Sequence, residues 1–243
     1  MLFRSVRPGW LLGGRVRHDQ RGDGHRSGIE PVLLAASIPA RPGQHVLEGG
    51  TGAGAALLCL AARVPGVAGV GLERDPAQAA LARANAAANG FAGLSVLEGD
   101  LATLRLEGAF DHAFANPPWH APEGTPSPDA GREGARRAGG GLFALWAGRL
   151  AAPLRHHGTL TFVVAAAALP GCLAAMQAAG CGSLAVLPLW PKPGRAAKLV
   201  LLRGVKGGRG ACRVLPGLVL HAPEGGYTAA AEAVLREGAA LEW

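Results

Sequence analysis

Between residues 45 and 115, short apolar runs alternate with helix-patterned stretches, and that alternation confines the chain to a layered α/β architecture. Residues 45–48, 67–72, 94–97 and 110–115 read as strands. Residues 53–64 and 76–89 read as helices between them, the second opened by Asp75-Pro76, where proline suits a first turn. Parallel strands need crossovers of a dozen or more residues, so this rhythm predicts a mostly parallel sheet between helical layers. The second half adds a helix at 142–154, a strand at 159–165 and a helix at 169–179. Strands at 184–187 and 198–202, joined by a Pro/Lys/Arg loop, bring the sheet to seven. A closing helix at 228–237 has Thr228 as N-cap and Glu232 in its first turn. Residues 119–141, rich in Pro, Gly and Arg, read as a long loop of the kind that is usually functional. Upstream, residues 11–16 suggest a hairpin and Glu30-Pro31 opens an apolar helix over 32–38. Residues 1–40 therefore divide as a basic extension with a lead-in helix, and 41–243 as the main domain.

At 49% hydrophobic and only 5% aromatic residues, the core must be built from Ala, Leu and Val. The formal charge of 24 − 17 = +7 favours a polyanionic partner such as nucleic acid. The basic residues concentrate at 1–30 (Arg4, Arg7, Arg15, Arg17, Arg21, Arg26) and at 192–213 (Lys192, Arg195, Lys198, Arg203, Lys206, Arg209, Arg213), with Arg132, Arg136 and Arg137 between. None of the four cysteines has a CxxC partner, so no zinc site or redox pair is expected, and a reducing cytoplasm fits. His120, His156 and His157 lack metal-ligand spacing. No apolar run reaches membrane-spanning length, and the first ten residues lack the apolar centre of a signal peptide.

The segment Glu48-Gly49-Gly50-Thr51-Gly52-Ala53-Gly54 runs from strand through turn to helix. Glycines there let the backbone approach a ligand, and the helix start offers unpaired N–H groups. Gly50, Gly52 and Ala55 also match a G-x-G-x-x-A dinucleotide fingerprint, so a nicotinamide or flavin cofactor is a rival. Glu73, at the end of the second strand beside Arg74, is placed to accept from ribose hydroxyls. Asp100, followed by Leu101 after the third strand, is placed to accept from an adenine amine, or to cap a turn. Glu48 would be costly to bury unpaired and is expected to bond the glycine turn or a cofactor amino group.

The tetrapeptide Asn116-Pro117-Pro118-Trp119 ends the fourth strand. A polar amide, two rigid prolines and an aromatic there suit a flat group bearing an NH2. The Asn116 side-chain oxygen and the Pro117 carbonyl can accept the two protons of a conjugated amine and so redirect its lone pair. The prolines hold that carbonyl fixed, and Trp119 can stack on a base. A nicotinamide enzyme has no use for this tetrapeptide. The combination points to methyl transfer from S-adenosyl-L-methionine to a planar amino nitrogen.

Residues 45–203 resemble a Rossmann-like class I methyltransferase, a three-layer sandwich with a seven-stranded, mostly parallel sheet. The Asn-Pro-Pro-Trp motif resembles the NPP[Y/F/W] signature of the N6-adenine and N5-glutamine group. The lead-in at 24–36 and the tail, Leu218-Val219-Leu220-His221 with Gly226-Tyr227-Thr228 and Glu232-Ala233-Val234-Leu235-Arg236, resemble the bacterial tRNA1(Val) (adenine(37)-N6)-methyltransferase family. The resemblance implies S-adenosyl-L-methionine held by Glu48, Gly49, Gly50, Thr51, Gly52, Glu73, Arg74, Asp100, Leu101 and Asn116. It also implies catalysis at Asn116, Pro117, Pro118 and Trp119 on an adenine of a tRNA, in the cytoplasm, with no metal and no membrane partner. The sequence departs from the family's pattern at Glu48, usually Asp, at Trp119, and at Ala138, where an acid is usual. Two alternatives remain: transfer to a protein glutamine amide, whose enzymes usually carry a helical N-terminal domain for which residues 1–44 are short, and a non-catalytic RNA-binding protein with this fold. A monomer or weak dimer is the expectation.

Overall fold

The computed structural model describes residues 6–22, 28–118 and 130–243. Its centre is one sheet in which seven long strands run β1 (His45–Gly49), β2 (Ala68–Glu73), β3 (Leu94–Glu98), β4 (Phe110–Ala115), β5 (Leu154–Ala165), β6 (Cys181–Trp190) and β7 (Leu199–Lys206). Their spatial order is 3-2-1-4-5-7-6. β3-β2-β1-β4-β5 pair in parallel, and β7 runs antiparallel to both β5 and β6. Two short strands, Arg213–Val214 and Leu218–Val219, add to the β6 edge and bring the sheet to nine.

The layers follow from alternation along each strand. Val46, Phe114, Val163 and Leu201 face a core shared with helices α1 (Glu30–Ser37), α2 (Ala55–Arg63) and α6 (Ala229–Glu237). Leu47, Ala115, Phe162 and Leu202 face the opposite core under α4 (Ala130–Ala151) and α5 (Leu169–Ala178). The sandwich therefore has three layers, and its core is mostly Ala, Leu and Val, with Phe114, Phe143 and Phe162 as the largest fully buried side chains. α3 (Pro76–Ala88) packs on β2 and β3, with Asp75 capping it through bonds from the amides of Ala77 and Gln78. Thr228 caps α6 by accepting from Ala231 N, as its sequence position implies.

Two sequence expectations are corrected. The long loop over 119–141 ends early, because α4 starts at Ala130; the glycines that read as breakers are interleaved with Ala and Arg, both strong helix formers. α2 starts at Ala55 rather than at 53, because Gly54 sits at φ +94°, outside helical geometry.

The N-terminal segment folds as antiparallel ribbon: Trp10–Leu11 pairs with Val16–Arg17, and Val6–Arg7 with Gln20–Arg21. Two asparagines of α3 fasten it. Asn85, 1% exposed, accepts from Asp19 N (3.0 Å) and donates to the carbonyls of Asp19 (3.0 Å) and Ala53 (2.9 Å). Asn89 accepts from Arg17 N (2.9 Å) and donates to Arg17 O (2.7 Å). One buried amide thus joins the ribbon, α3 and the turn after β1. Asn85→Ala removes the partner of three partly buried main-chain groups, and the expected loss is about 1–3 kcal/mol of unfolding free energy, measured by denaturant melting.

Candidate active site

The carboxyl ends of β1, β2, β3 and β4 converge on one cleft. After β1 the chain turns through Gly50 (φ +64°), Gly52 (φ +55°) and Gly54 (φ +94°) before entering α2. Gly50 has a second reason to be glycine: a Cβ there would lie 2.7 Å from Cη2 of Trp146 on α4. Thr51 N bonds Leu72 O (3.0 Å), which folds the turn back over β2. Gly71 makes room, since a Cβ at that position would sit 2.8 Å from Thr51 Cγ2.

Two carboxylates at the strand ends, Glu73 and Glu48, brace this turn. Glu73 accepts from Gly52 N (2.8 Å) and from Asp75 N (2.9 Å), so one side chain sets the turn and the start of α3 together. Glu48 is buried and accepts from Thr51 Oγ1 at 2.5 Å, the partner in the glycine turn that its sequence position called for. Burial in a low-dielectric site pushes its carboxyl up to about 8, opposed by the Thr51 bond. Asp100 Oδ1 accepts from Ala102 N (2.8 Å), the capping arrangement, and the residue also lines the cleft.

The raised Glu48 carboxyl has a consequence for stability. The folded protein keeps the proton that an unfolded chain, with an ordinary value of 4.5, has already released. Between those two values the unfolded state binds fewer protons, so stability is complete below about 4.5 and declines as pH rises towards about 8. Glu48→Gln is expected to flatten this decline, read as melting temperature against pH from 5 to 9.

The cleft has two chambers. One, of about 430 Å³, is lined by Glu73, Arg74, Asp100, Leu101, Pro118 and Trp146. The other is lined by Gln20, Arg21, Glu48, Thr51, Gly52 and Gln78. Gly50 and Asn116 line both, so they stand where the chambers meet. Gly49 lies just before this junction, buried against Leu150. Pro117 is buried, while Asn116 and Pro118 are exposed to the cleft. Trp119 and His120 lie outside the described residues. Among the described residues no cluster of three or more His, Cys, Asp or Glu is placed to hold a metal, and no helix is long and apolar enough to cross a membrane.

Sequence reasoning missed several residues of the site. Gln20 and Arg21 come from the N-terminal ribbon, and Arg21 pairs with Asp75 at 3.3 Å. Arg149 on α4 donates to the carbonyls of Leu101 (2.8 Å) and Ala102 (2.5 Å), holding the turn that carries Asp100. Trp146 was visible only as an apolar helix position.

The basic stretches also resolve into different roles. Arg15 bonds Leu12 O and Arg236 O, and Arg17 pairs with Asp19. Arg203, held down to about 9 by burial, donates to Ser37 O and lies 4.1 Å from the Trp243 ring centre. With Arg63, which donates to Ala35 O and Ile38 O, it satisfies the carbonyl end of α1. Lys206 donates to Ala179 O just after α5. Arg203 and Lys206 are thus structural and not part of a charged binding face. His156 and His157 are exposed, and His221 stacks on Tyr227 at 4.8 Å across a bridge in the tail.

The strand order and the antiparallel β7 differ from the 3-2-1-4-5-6 order of a dinucleotide-binding sheet and give a fold shared with solved methyltransferases. The chain matches a predicted O-methyltransferase of Agrobacterium tumefaciens with TM-score 0.73 and 24% identity, over 87% of this chain and 98% of that one. It matches a 16S rRNA N2 methyltransferase of T. thermophilus, solved with AdoMet and guanosine, with TM-score 0.58 and 22% identity, over 83% and 50%.

Residues 30–137 match the family model of the methyltransferase small domain. The relatives by sequence are more particular. The chain is 40% identical over 120 residues to a tRNA1(Val) (adenine(37)-N6)-methyltransferase of Porphyromonas gingivalis, covering 43% of this chain and 47% of that protein. It is 32% identical over 155 residues to the protein of the same name from Actinobacillus succinogenes, covering 62% and 64%. The chain thus spans about half the length of the Porphyromonas relative.

Proposed function

We propose that this protein transfers a methyl group from S-adenosyl-L-methionine to the exocyclic nitrogen of an adenine in a tRNA. The observation that carries the reading is the position of Asn116 at the meeting of the two chambers, beside Gly50. The chamber with Glu73 and Asp100 suits a nucleoside, since two carboxylates can accept from ribose hydroxyls and from a ring amine. The chamber with Glu48, Thr51 and Gly52 suits a short charged amino-acid chain. A molecule with both ends would span the two chambers and bring its middle to Asn116. When bound, S-adenosyl-L-methionine supplies an electrophilic methyl on a sulfonium there.

The chain's own residues then act on the acceptor. Asn116 Oδ1 and the Pro117 carbonyl accept the two N–H bonds of the adenine amine and turn its delocalised lone pair towards the methyl. Pro117 is buried and fixed in φ, so its carbonyl needs little reorganisation. Trp119 stacks on the base. Because the amine proton becomes acidic once the methyl is attached, no strong base is needed. The adenine has to leave its stack to reach Asn116. Adenine is favoured over a glutamine amide by the shared name of the relatives, and the tRNA substrate implies work in the cytoplasm.

Nucleoside mass spectrometry tests this. Unmodified tRNA incubated with the protein and the methyl donor is expected to yield N6-methyladenosine. Methylation of a protein glutamine with no change in the RNA would overturn the adenine assignment.

A further inference from the structure

Strand direction divides the second basic stretch. Leu199 opens β7 opposite both Leu189 of β6 and Ala165 at the carboxyl end of β5. The 191–198 loop, with Lys192, Arg195 and Lys198 all exposed, therefore lies on the same sheet edge as Asn116. Lys206 and Arg209 lie at the opposite end, beyond the amino end of β6, where Lys206 pairs with Cys181.

At the carboxyl edge the loop encloses a shallow pocket of about 430 Å³, lined by Trp190, Pro193, Gly194, Arg195, Ala196 and Val219. The half-buried Trp190 indole is fixed by a bond from Nε1 to Pro216 O (2.9 Å). Lys192 Nζ donates to Pro223 O (3.2 Å), and Leu220 N to Trp190 O (2.8 Å), which ties the tail to the loop. No Asp or Glu occurs anywhere from Pro191 to Pro223, so the local field is positive. A rigid aromatic in an open pocket beside exposed cations suits a base stacked over a ring with its phosphate neutralised. β5 and β7 separate this site from β4, and strand spacing puts it roughly 15 Å from the transfer site.

We infer that this pocket is a second RNA subsite, holding an unstacked nucleotide that flanks the target. Its base lies against Trp190 and its phosphate against Arg195 and Lys198. The inference rests on the proposed RNA substrate and adds where the strand is gripped. No reaction occurs there; the subsite contributes affinity and register.

The test uses the full chain and unmodified bulk tRNA, with affinity and steady-state kinetics measured for Trp190→Ala, Trp190→Phe and Arg195→Glu. Trp190→Ala is expected to weaken RNA binding about tenfold, the usual scale of one base stack, and Arg195→Glu about tenfold through loss of its phosphate contact. They should raise KM with little change in kcat, and leave calorimetric binding of S-adenosylhomocysteine as in the parent. Trp190→Phe should restore most of the affinity. Arg195 lies in an exposed loop, so its variant reads the site even where Trp190→Ala fails to fold. Parent-like RNA affinity in Arg195→Glu, or a Trp190→Ala that folds yet binds RNA as the parent does, overturns the subsite and leaves the adenine reading standing. A parent protein that neither binds nor methylates RNA overturns both.

Discussion

Asn116→Ala is expected to lower the rate of methyl transfer by a factor on the order of 10³ while the affinity for S-adenosylhomocysteine stays within about threefold of the parent, a shift of under 1 kcal/mol. The two readouts separate because Asn116 borders both chambers but makes no bond that holds the glycine turn; that turn is set by Glu73 on Gly52 N and by Thr51 on Glu48. Removing the amide oxygen leaves the Pro117 carbonyl alone to orient the acceptor, so the lone pair is no longer directed. Asn116 is exposed at the end of β4, and its truncation should shift stability by no more than about 0.5 kcal/mol. Single-turnover kinetics alongside calorimetry checks this. Retained turnover would remove Asn116 from the chemistry.

Gly50→Val should have the opposite signature, with cofactor binding lost first. The residue sits at φ +64°, where a β-branched side chain is strained by about 1–2 kcal/mol. A Cβ would also meet Trp146 at 2.7 Å, and forcing apart a packed ring adds about 1–3 kcal/mol. If α4 yields, the cleft wall moves; if the turn yields, the Gly52 N bond to Glu73 is lost. Either way, affinity for S-adenosylhomocysteine should fall more than about 100-fold, or about 3 kcal/mol. A melting temperature and an affinity equal to the parent's would show that the close packing of Trp146 on this turn is not needed.

Much of this was legible because the period of the apolar pattern changes sharply between strand and helix, and because glycines and prolines punctuate the changes. All seven long strands, the glycine turn and the acids after the strands follow from that. The N-terminal half of α4 did not, because its glycines masked a helix. Trp146 and Arg149 lie on a helix whose pattern says only which side faces inward, not that a ring caps Gly50 or that a guanidinium grips the Asp100 turn. Asn85 and Asn89 carry no signal in the sequence beyond their place in a helix, yet they stitch the N-terminal ribbon to α3. The run of cations from 192 to 213 reads as one patch along the sequence. The β6–β7 hairpin sends its two halves to opposite ends of the sheet, and Arg203 turns inward to α1.

A crystal structure with S-adenosylhomocysteine and adenosine measures the central geometry directly. The account predicts the thioether beside Gly50, with the adenosine amine facing it and about 2.7–3.2 Å from both Asn116 Oδ1 and the Pro117 carbonyl. A thioether elsewhere in the cleft, or an amine out of hydrogen-bond reach of both oxygens, would contradict it.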